Sequence, residues 1–327
     1  MRSTIKVLFV FMILFSKIIY ADKLYNVLPW SGYKAAISLT FDDGDPIHLD
    51  FAIPEMQKRN IRGTFFLIAD KTERIDEWKK AAESGMEIGN HSSNHKHAYE
   101  LSKEEDIIYE VENAEKFLQN QFNQPVISFA YPFIEITNEL LVRVKKNCII
   151  ARGGGTGELY YTPDSEPDWY NIHSQTTMSD YDFETYKAWI DTAFGASAWT
   201  VFMIHAIEGS NWWQPIPKDV FIKILDYLKK NENIWVAPFG EIGAYWQAQK
   251  IIENAKVIKT DKNYLIRWKK PQLFPEGVFV KIKINNDDYI LTQKGVEIKQ
   301  TLPYIYPISF DSCEFILEKR KKSGKIK

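Results

Sequence analysis

From Tyr33 to about residue 250 the chain alternates short apolar runs with amphipathic stretches, the pattern of strands joined by helices in a largely parallel sheet or barrel. Residues 35–41 (AAISLTF) predict a buried strand, and further strands are predicted at 63–68, 86–90, 126–130, 149–152, 199–205 and 234–238. Helices are expected over 55–62, 73–84 and 103–119. The last has the clearest period: Ile107, Ile108, Val111, Ala114, Phe117 and Leu118 share one face, with Ser102 as N-cap. About seven strands with intervening helices point to a TIM-type barrel that is imperfect or carries one more strand. After Lys250 the texture changes. Short, partly alternating runs at 257–258, 264–268, 277–284, 288–292 and 314–317, separated by Pro and Asn-Asn-Asp clusters, predict a small β-sandwich-like module.

The first 21 residues stand apart from this pattern. Arg2 and Lys6 precede an apolar run over 7–15, Ser16 and Lys17 interrupt it, and Tyr20-Ala21 ends in a small residue, the layout of an export signal cleaved after Ala21. The run is well short of the roughly 20 apolar residues that span a bilayer, so a soluble exported protein with no transmembrane segment after signal removal is expected. The domain order read from the sequence is therefore signal 1–21, main domain 22–250, β-rich module 251–318 and basic tail 319–327.

Composition narrows the function classes. With 45% hydrophobic and 14% aromatic residues the chain is a folded protein, and 41 basic against 43 acidic side chains supply no field for a nucleic-acid backbone. Two cysteines, Cys148 and Cys313, exclude a cysteine-rich zinc site; they form either one bridge or two separate thiols.

Candidate chemistry gathers where predicted strands end. Asp42-Asp43-Gly44 closes the first strand. Asp-Gly is ordinary turn chemistry, but adjacent acids at that end of a barrel strand also divide two tasks, one binding a metal while its neighbour takes a proton. His91-Ser92-Ser93-Asn94-His95 follows another strand, and histidines at i and i+4 converge if a helical turn begins there. With Asp43 they make three ligands and leave room for water and substrate, the open arrangement of a catalytic zinc-type site. His48 and His97 are expected at the surface or behind the ligands.

Taken together, Thr40-Phe41-Asp42-Asp43-Gly44 and His91-Ser92-Ser93-Asn94-His95 resemble the polysaccharide deacetylase, or NodB-like, carbohydrate esterase family. The resemblance covers roughly residues 30 to 250 and takes in Ser128-Phe129-Ala130-Tyr131-Pro132-Phe133, Asp168-Trp169 and Met203-Ile204-His205. It implies an α/β fold, a deformed (β/α) barrel of the NodB-homology type with the small all-β module appended, and metal-dependent N- or O-deacetylation of an acetylated polysaccharide or oligosaccharide. By resemblance Asp42 is the general base, and Asp43, His91 and His95 hold a divalent metal, zinc first, with cobalt, nickel or manganese also suited to the ligands. His205 is the general acid, oriented by Asp168. Phe133 supplies an oxyanion N–H, and Tyr131, Trp169 and Met203 lie at the substrate, the last two lining an acetyl pocket. The family's pattern has an arginine at the position of Ala130, where it holds the catalytic aspartate. Arg152, at the end of the next strand, is the candidate replacement, with a surface arginine as the alternative reading. Trp212-Trp213, shortly after His205, suit either a stacking platform for sugar rings or a lid packed on the core. The rival readings are a catalytically silent glycan-binding protein and a barrel amidohydrolase acting on a small cyclic amide.

Overall fold

The computed structural model describes residues 24–154, 157–285 and 287–320, so the expected export signal over 1–21 and most of the basic tail lie outside the described residues. Strand Ala35–Asp42 is the centre of the barrel, and all of its residues are buried, as a parallel strand covered on both faces requires. Trp199–Ile204 pairs along most of its length. On its other side Ile234–Val236 pairs with Ala35–Ile37 and Thr64–Leu67 with Thr40–Asp42, so the sheet forks there. Glu87–Asn90, Ser128–Ala130 and Ile150–Arg152 follow Thr64–Leu67 in order, and Gln175–Thr176 pairs with Trp199–Ile204 at the other edge. A bridge from Arg152 to Ile172 links the two edges, so the ring closes irregularly through the segment leading into Gln175–Thr176. Every pairing in this eight-stranded sheet is parallel, which carries Asp42, Asn90, Ala130, Arg152 and Ile204 to one end. The eighth strand, Gln175–Thr176, has two residues and is too short to leave a periodic trace.

The helix expected over 103–119 is Glu104–Ile108 and Ala114–Phe122 joined by a π-helical turn, Tyr109–Asn113. Its N-cap position is Lys103, without a side-chain cap bond, in place of Ser102. The wide turn leaves the backbone carbonyls of Tyr109 and Val111 to accept from the side chains of Ser93 and Asn90 respectively.

At the opposite end of the barrel the Glu87 carboxylate accepts hydrogen bonds from Thr64 Oγ1 (2.6 Å), Ser128 Oγ (2.7 Å) and Gly240 N (2.8 Å), while Thr64 Oγ1 accepts from Phe239 N (2.7 Å). These bonds seat the start of helix Phe239–Glu253 under the strands. Gly240 is required for the approach, since a Cβ there would lie 2.3 Å from Glu87 Oε1. Burial pushes the Glu87 carboxyl above its ordinary range, yet all its partners are donors. Glu87→Ala leaves three buried donors without an acceptor, at about 1–3 kcal/mol for each unmatched group. Chemical denaturation of this variant is expected to show a loss of at least about 2 kcal/mol by that scale; an unchanged midpoint would contradict the account.

Two antiparallel sheets make up the β-rich part. Lys256–Lys259, Tyr264–Arg267, Glu314–Lys319, Tyr289–Gln293 and Val296–Glu297 form one, and Tyr25–Val27, Phe279–Ile284 and Ile305–Ser309 the other. Tyr25–Val27 thus comes from the start of the described chain to pair with Phe279–Ile284. The inward residues Val280, Ile282, Phe310 and Phe315 share one continuous core with Phe239, Trp246 and Ile252 of the barrel's last helix. Tyr25 Oη donates to Ile252 O (2.8 Å) and Tyr245 Oη to Leu28 O (2.6 Å) across the junction. Both thiols, buried Cys148 and partly exposed Cys313, are free. Among the described residues no helix is long and apolar enough to cross a membrane.

Candidate active site

Strand Ala35–Asp42 delivers Asp42 into the barrel mouth, and the next two residues turn sharply, Asp43 and Gly44 both at φ 70°. The Asp-Gly pair is therefore a turn and also the device that sets the two carboxylates in different surroundings. Left-handed backbone costs little at glycine but is uncommon for other residues, and such outliers gather at functional sites. Ser92 (φ 67°), His95 (φ 59°), Phe133 (φ 55°) and Ile134 (φ 61°) share it around the same mouth.

His91 follows strand Glu87–Asn90. Its Nδ1 lies 2.8 Å from Ala130 O, so the ring N–H donates there and the Nε2 lone pair turns to Asp43 Oδ1, 3.5 Å away. His95 Nε2 is also 3.5 Å from that oxygen, with the two rings 4.8 Å apart. The expected helical turn is absent. A loop folded back by Ser92 and His95 brings the imidazoles together, and the neighbouring π turn pins it: Asn90 Nδ2 donates to Val111 O (2.9 Å), Ser93 Oγ to Tyr109 O (2.8 Å) and Asn94 N to Glu110 Oε2 (2.8 Å). Glu110 is buried, and the sequence reading passed over it. The signal was present, because at three residues past Ile107 and four before Ala114 it stands inside the apolar stripe.

Arg152 is the register partner of Ala130 on the adjacent strand, so its side chain enters the same mouth. Its Nη2 donates to Asp42 Oδ2 at 2.5 Å, and its guanidinium carbon sits 5.2 Å from the centroid of the Phe66 ring. The contact has a single prong and not the planar fork that guanidinium and carboxylate can form; Nε and Nη1 are buried without hydrogen-bond partners, and the guanidinium lies over the Phe66 ring. Burial opposes ionisation of Asp42, but Arg152, aided by His91 and His205, holds its carboxyl below the usual carboxylate range. His205 Nε2 lies 3.7 Å from the same Oδ2, and burial pulls its pKa down. Behind it His48, fully buried and held near pKa 4 by that burial, donates from Nε2 to the His205 carbonyl at 2.9 Å. Trp213 meets the His205 ring edge-to-face at 4.7 Å, and Trp212 Nε1 donates to Asp43 Oδ2 at 2.6 Å.

Asp42, Asp43, His91, His95, Arg152, His205, Trp212 and Trp213 line a cavity of about 470 Å³ together with Tyr131, Phe133, Met203 and Gly153, and with Ile134, which the sequence did not single out. A larger hollow of about 550 Å³ at the other end of the barrel, beside Arg62 and Glu87, holds no comparable cluster of histidines and acids. Two expected site residues lie elsewhere. Asp168 does not orient His205: its Oδ1 accepts from Tyr170 N (3.0 Å) within its own turn, and His205 Nδ1 is buried without a partner. Trp169 lines no acetyl pocket. Its carbonyl is bonded by Ala151 N, and its ring packs edge-to-face on Trp246 at 4.9 Å, drawn into the core beneath the barrel. His97, half-exposed, stacks on Phe133 with centroids 3.7 Å apart.

The Asp43, His91 and His95 donors fit a divalent cation. Their ligand atoms all lie within 4.8 Å of one another, and Asp43 Oδ1 is buried with no hydrogen-bond partner. Burial opposes protonation of His91, yet the adjacent Asp43 carboxylate raises its pKa; burial and the charge on His91 push His95 down to about 4. One proton therefore satisfies only part of the cluster, whereas a cation accepts all three lone pairs.

Residues 31–149 match the family model described as polysaccharide deacetylase. Two peptidoglycan-N-acetylglucosamine deacetylases of Bacillus cereus are similar over parts of their length. One is 32% identical over 74 residues, 22% of this chain and 27% of that protein, and the other 30% identical over 93 residues, 28% and 43% respectively. The chain thus spans less than half the length of the curated relatives it matches. A solved structure of a probable polysaccharide deacetylase from Pseudomonas aeruginosa PAO1 has the same fold over 67% of this chain and 93% of its own, with a TM-score of 0.51 at 13% identity.

Proposed function

We propose that this chain, a member of the polysaccharide deacetylase family through residues 31–149, hydrolyses the acetyl group of an acetylated glycan in the cavity at the barrel mouth. The observation that carries the reading is the division of labour between adjacent carboxylates: Asp42 leans on Arg152 and His205, while Asp43 faces two imidazoles. Asp43 Oδ1, His91 Nε2 and His95 Nε2 would hold a divalent cation, with zinc, cobalt, nickel and manganese all compatible with the donor set. When bound, such a cation supplies Lewis acidity, lowering the pKa of a water toward about 7 and polarising an acyl carbonyl.

The protein's own groups do the rest. Asp42, kept ionised by Arg152, has Oδ2 occupied and Oδ1 unpartnered, so Oδ1 takes the proton of the attacking water. The Phe133 N–H, held in a left-handed turn, donates to the oxygen that gains charge as the carbonyl carbon becomes tetrahedral. His205 Nε2 gives a proton to the departing nitrogen or oxygen, leaving acetate and a free amine or alcohol. Tyr131 and Met203 wall the acetyl group, and the half-exposed rings of Trp212 and Trp213 present flat faces to the sugar. The two Bacillus cereus relatives make an N-acetylglucosamine polymer the first substrate to try. Acetate release from a panel of chitin oligomers, peptidoglycan and acetylated xylan tests the proposal, and no release from any of them by metal-loaded protein would contradict it. Export belongs to the same reading, and N-terminal sequencing of the secreted protein is expected to begin at Asp22.

Arg152 carries the base. In Arg152→Lys the charge survives without a planar group to lie on Phe66, so burial weighs more heavily on Asp42 and its pKa rises. Because Asp42 works as a carboxylate, activity falls as pH drops through its pKa, and the acidic limb of the pH–rate profile is expected to move to higher pH. Unchanged metal content and an unmoved limb would dissociate Arg152 from the base.

A further inference from the structure

The half-exposed Trp212, read so far as a surface for sugar, makes a second contact that faces inward. Its indole Nε1 donates to Asp43 Oδ2 at 2.6 Å, a short bond to an ionised acceptor. The other oxygen of that carboxylate, Oδ1, faces His91 and His95 and is buried without a partner. The ring is held in place although about half of its surface is open. Ser210 Oγ accepts from Trp212 N (2.9 Å) and donates to Asp45 Oδ2 (2.6 Å), two residues beyond Asp43. On the far side Gln214 Oε1 accepts from Ser179 N (2.9 Å) and Ser179 Oγ (2.8 Å), and Ala206–Ile207 pairs with Pro215–Ile216 at the base of the loop. The loop is thus tied at both ends, and the indole N–H is aimed before any ligand arrives.

We propose that Trp212 is a positioning residue of the metal site: its N–H occupies Asp43 Oδ2, so that the carboxylate offers only Oδ1 to the cation and is fixed in the rotamer that meets His91 and His95. This rests on the reading of Asp43, His91 and His95 as a metal site, and it adds a function to Trp212 that a sugar platform does not need. Outer partners of this kind orient metal ligands, and removing one typically costs 10–100-fold in metal affinity. Phenylalanine separates the two functions, since Trp212→Phe keeps a flat apolar ring at the rim and deletes only the donor. Trp212→Gln restores an N–H donor without the ring.

The test is zinc affinity of the full-length protein, measured by competition with a chromophoric chelator, alongside the visible spectrum of the cobalt-substituted protein. Wild-type protein is expected to bind one zinc. Trp212→Phe is expected to bind it about 10–100-fold more weakly by that scale and to shift the cobalt bands, with an unchanged melting temperature, and Trp212→Gln to recover part of the affinity. Equal zinc affinity and identical cobalt bands in wild type and Trp212→Phe would overturn the role of Trp212 while leaving the metal site standing. Absence of zinc binding by the wild type would overturn the metal site itself, and the role of Trp212 with it.

Discussion

Asp42→Asn is expected to keep the fold and the bound metal while turnover falls by about a hundredfold or more, the usual scale for loss of a general base. Asparagine matches the size of aspartate and can still accept from Arg152 Nη2 through its amide oxygen, so the guanidinium keeps a partner in the buried mouth. What disappears is the basic oxygen. Asp43, one residue away, cannot replace it, because Oδ2 is bonded to Trp212 and Oδ1 faces two imidazoles. His205→Ala is expected to give a fall of similar size for the opposite reason, as the other side chain at Asp42 Oδ2, Arg152, is a guanidinium that does not give up its proton to a leaving group. Steady-state kinetics with parallel metal analysis checks both variants, and wild-type turnover by either would remove it from its assigned role.

The second large effect concerns the metal. His91→Ala and His95→Ala each remove one of three donors, and two remaining protein ligands do not make a stable zinc-type site. His91 carries the heavier loss. It is fully enclosed and locked by its bond to Ala130 O, so nothing can move in to replace its lone pair, whereas His95 is partly open to solvent. Metal analysis after dialysis is expected to show sub-stoichiometric zinc in both variants, lower for His91→Ala; full occupancy in both would contradict the ligand assignment.

The parts of this site that the sequence discloses are those set by strand ends. A parallel barrel brings the C-terminal ends of its strands to one mouth, so Asp42, Asp43, His91 and His205 are visible as polar residues closing apolar runs. Arg152 is visible for the same reason, since its place opposite Ala130 follows from pairing of adjacent strands. Residues whose role depends on how an irregular segment is turned are not. Asp168 and Trp169 sit on the piece that closes the ring between Arg152 and Gln175–Thr176, and its backbone bonds aim Trp169 at Trp246 and leave Asp168 in a turn. Strand Tyr25–Val27 escaped notice because its partner, Phe279–Ile284, lies near the far end of the chain and three residues carry no period. The π turn at Tyr109–Asn113 was hidden by an apolar stripe that fits an ordinary helix equally well. Trp212 shows the limit most plainly: a Trp-Trp pair announces an aromatic surface, but only the loop's ties to Asp45 and Ser179 aim one indole N–H at Asp43.

Acetate released from an N-acetylglucosamine oligomer by the full-length protein, assayed as purified, after chelation and after zinc is restored, tests the account most directly. Release that stops on chelation and returns with zinc is the predicted result. Undiminished release by the metal-free protein, or none after zinc, cobalt, nickel and manganese have each been supplied, would contradict it.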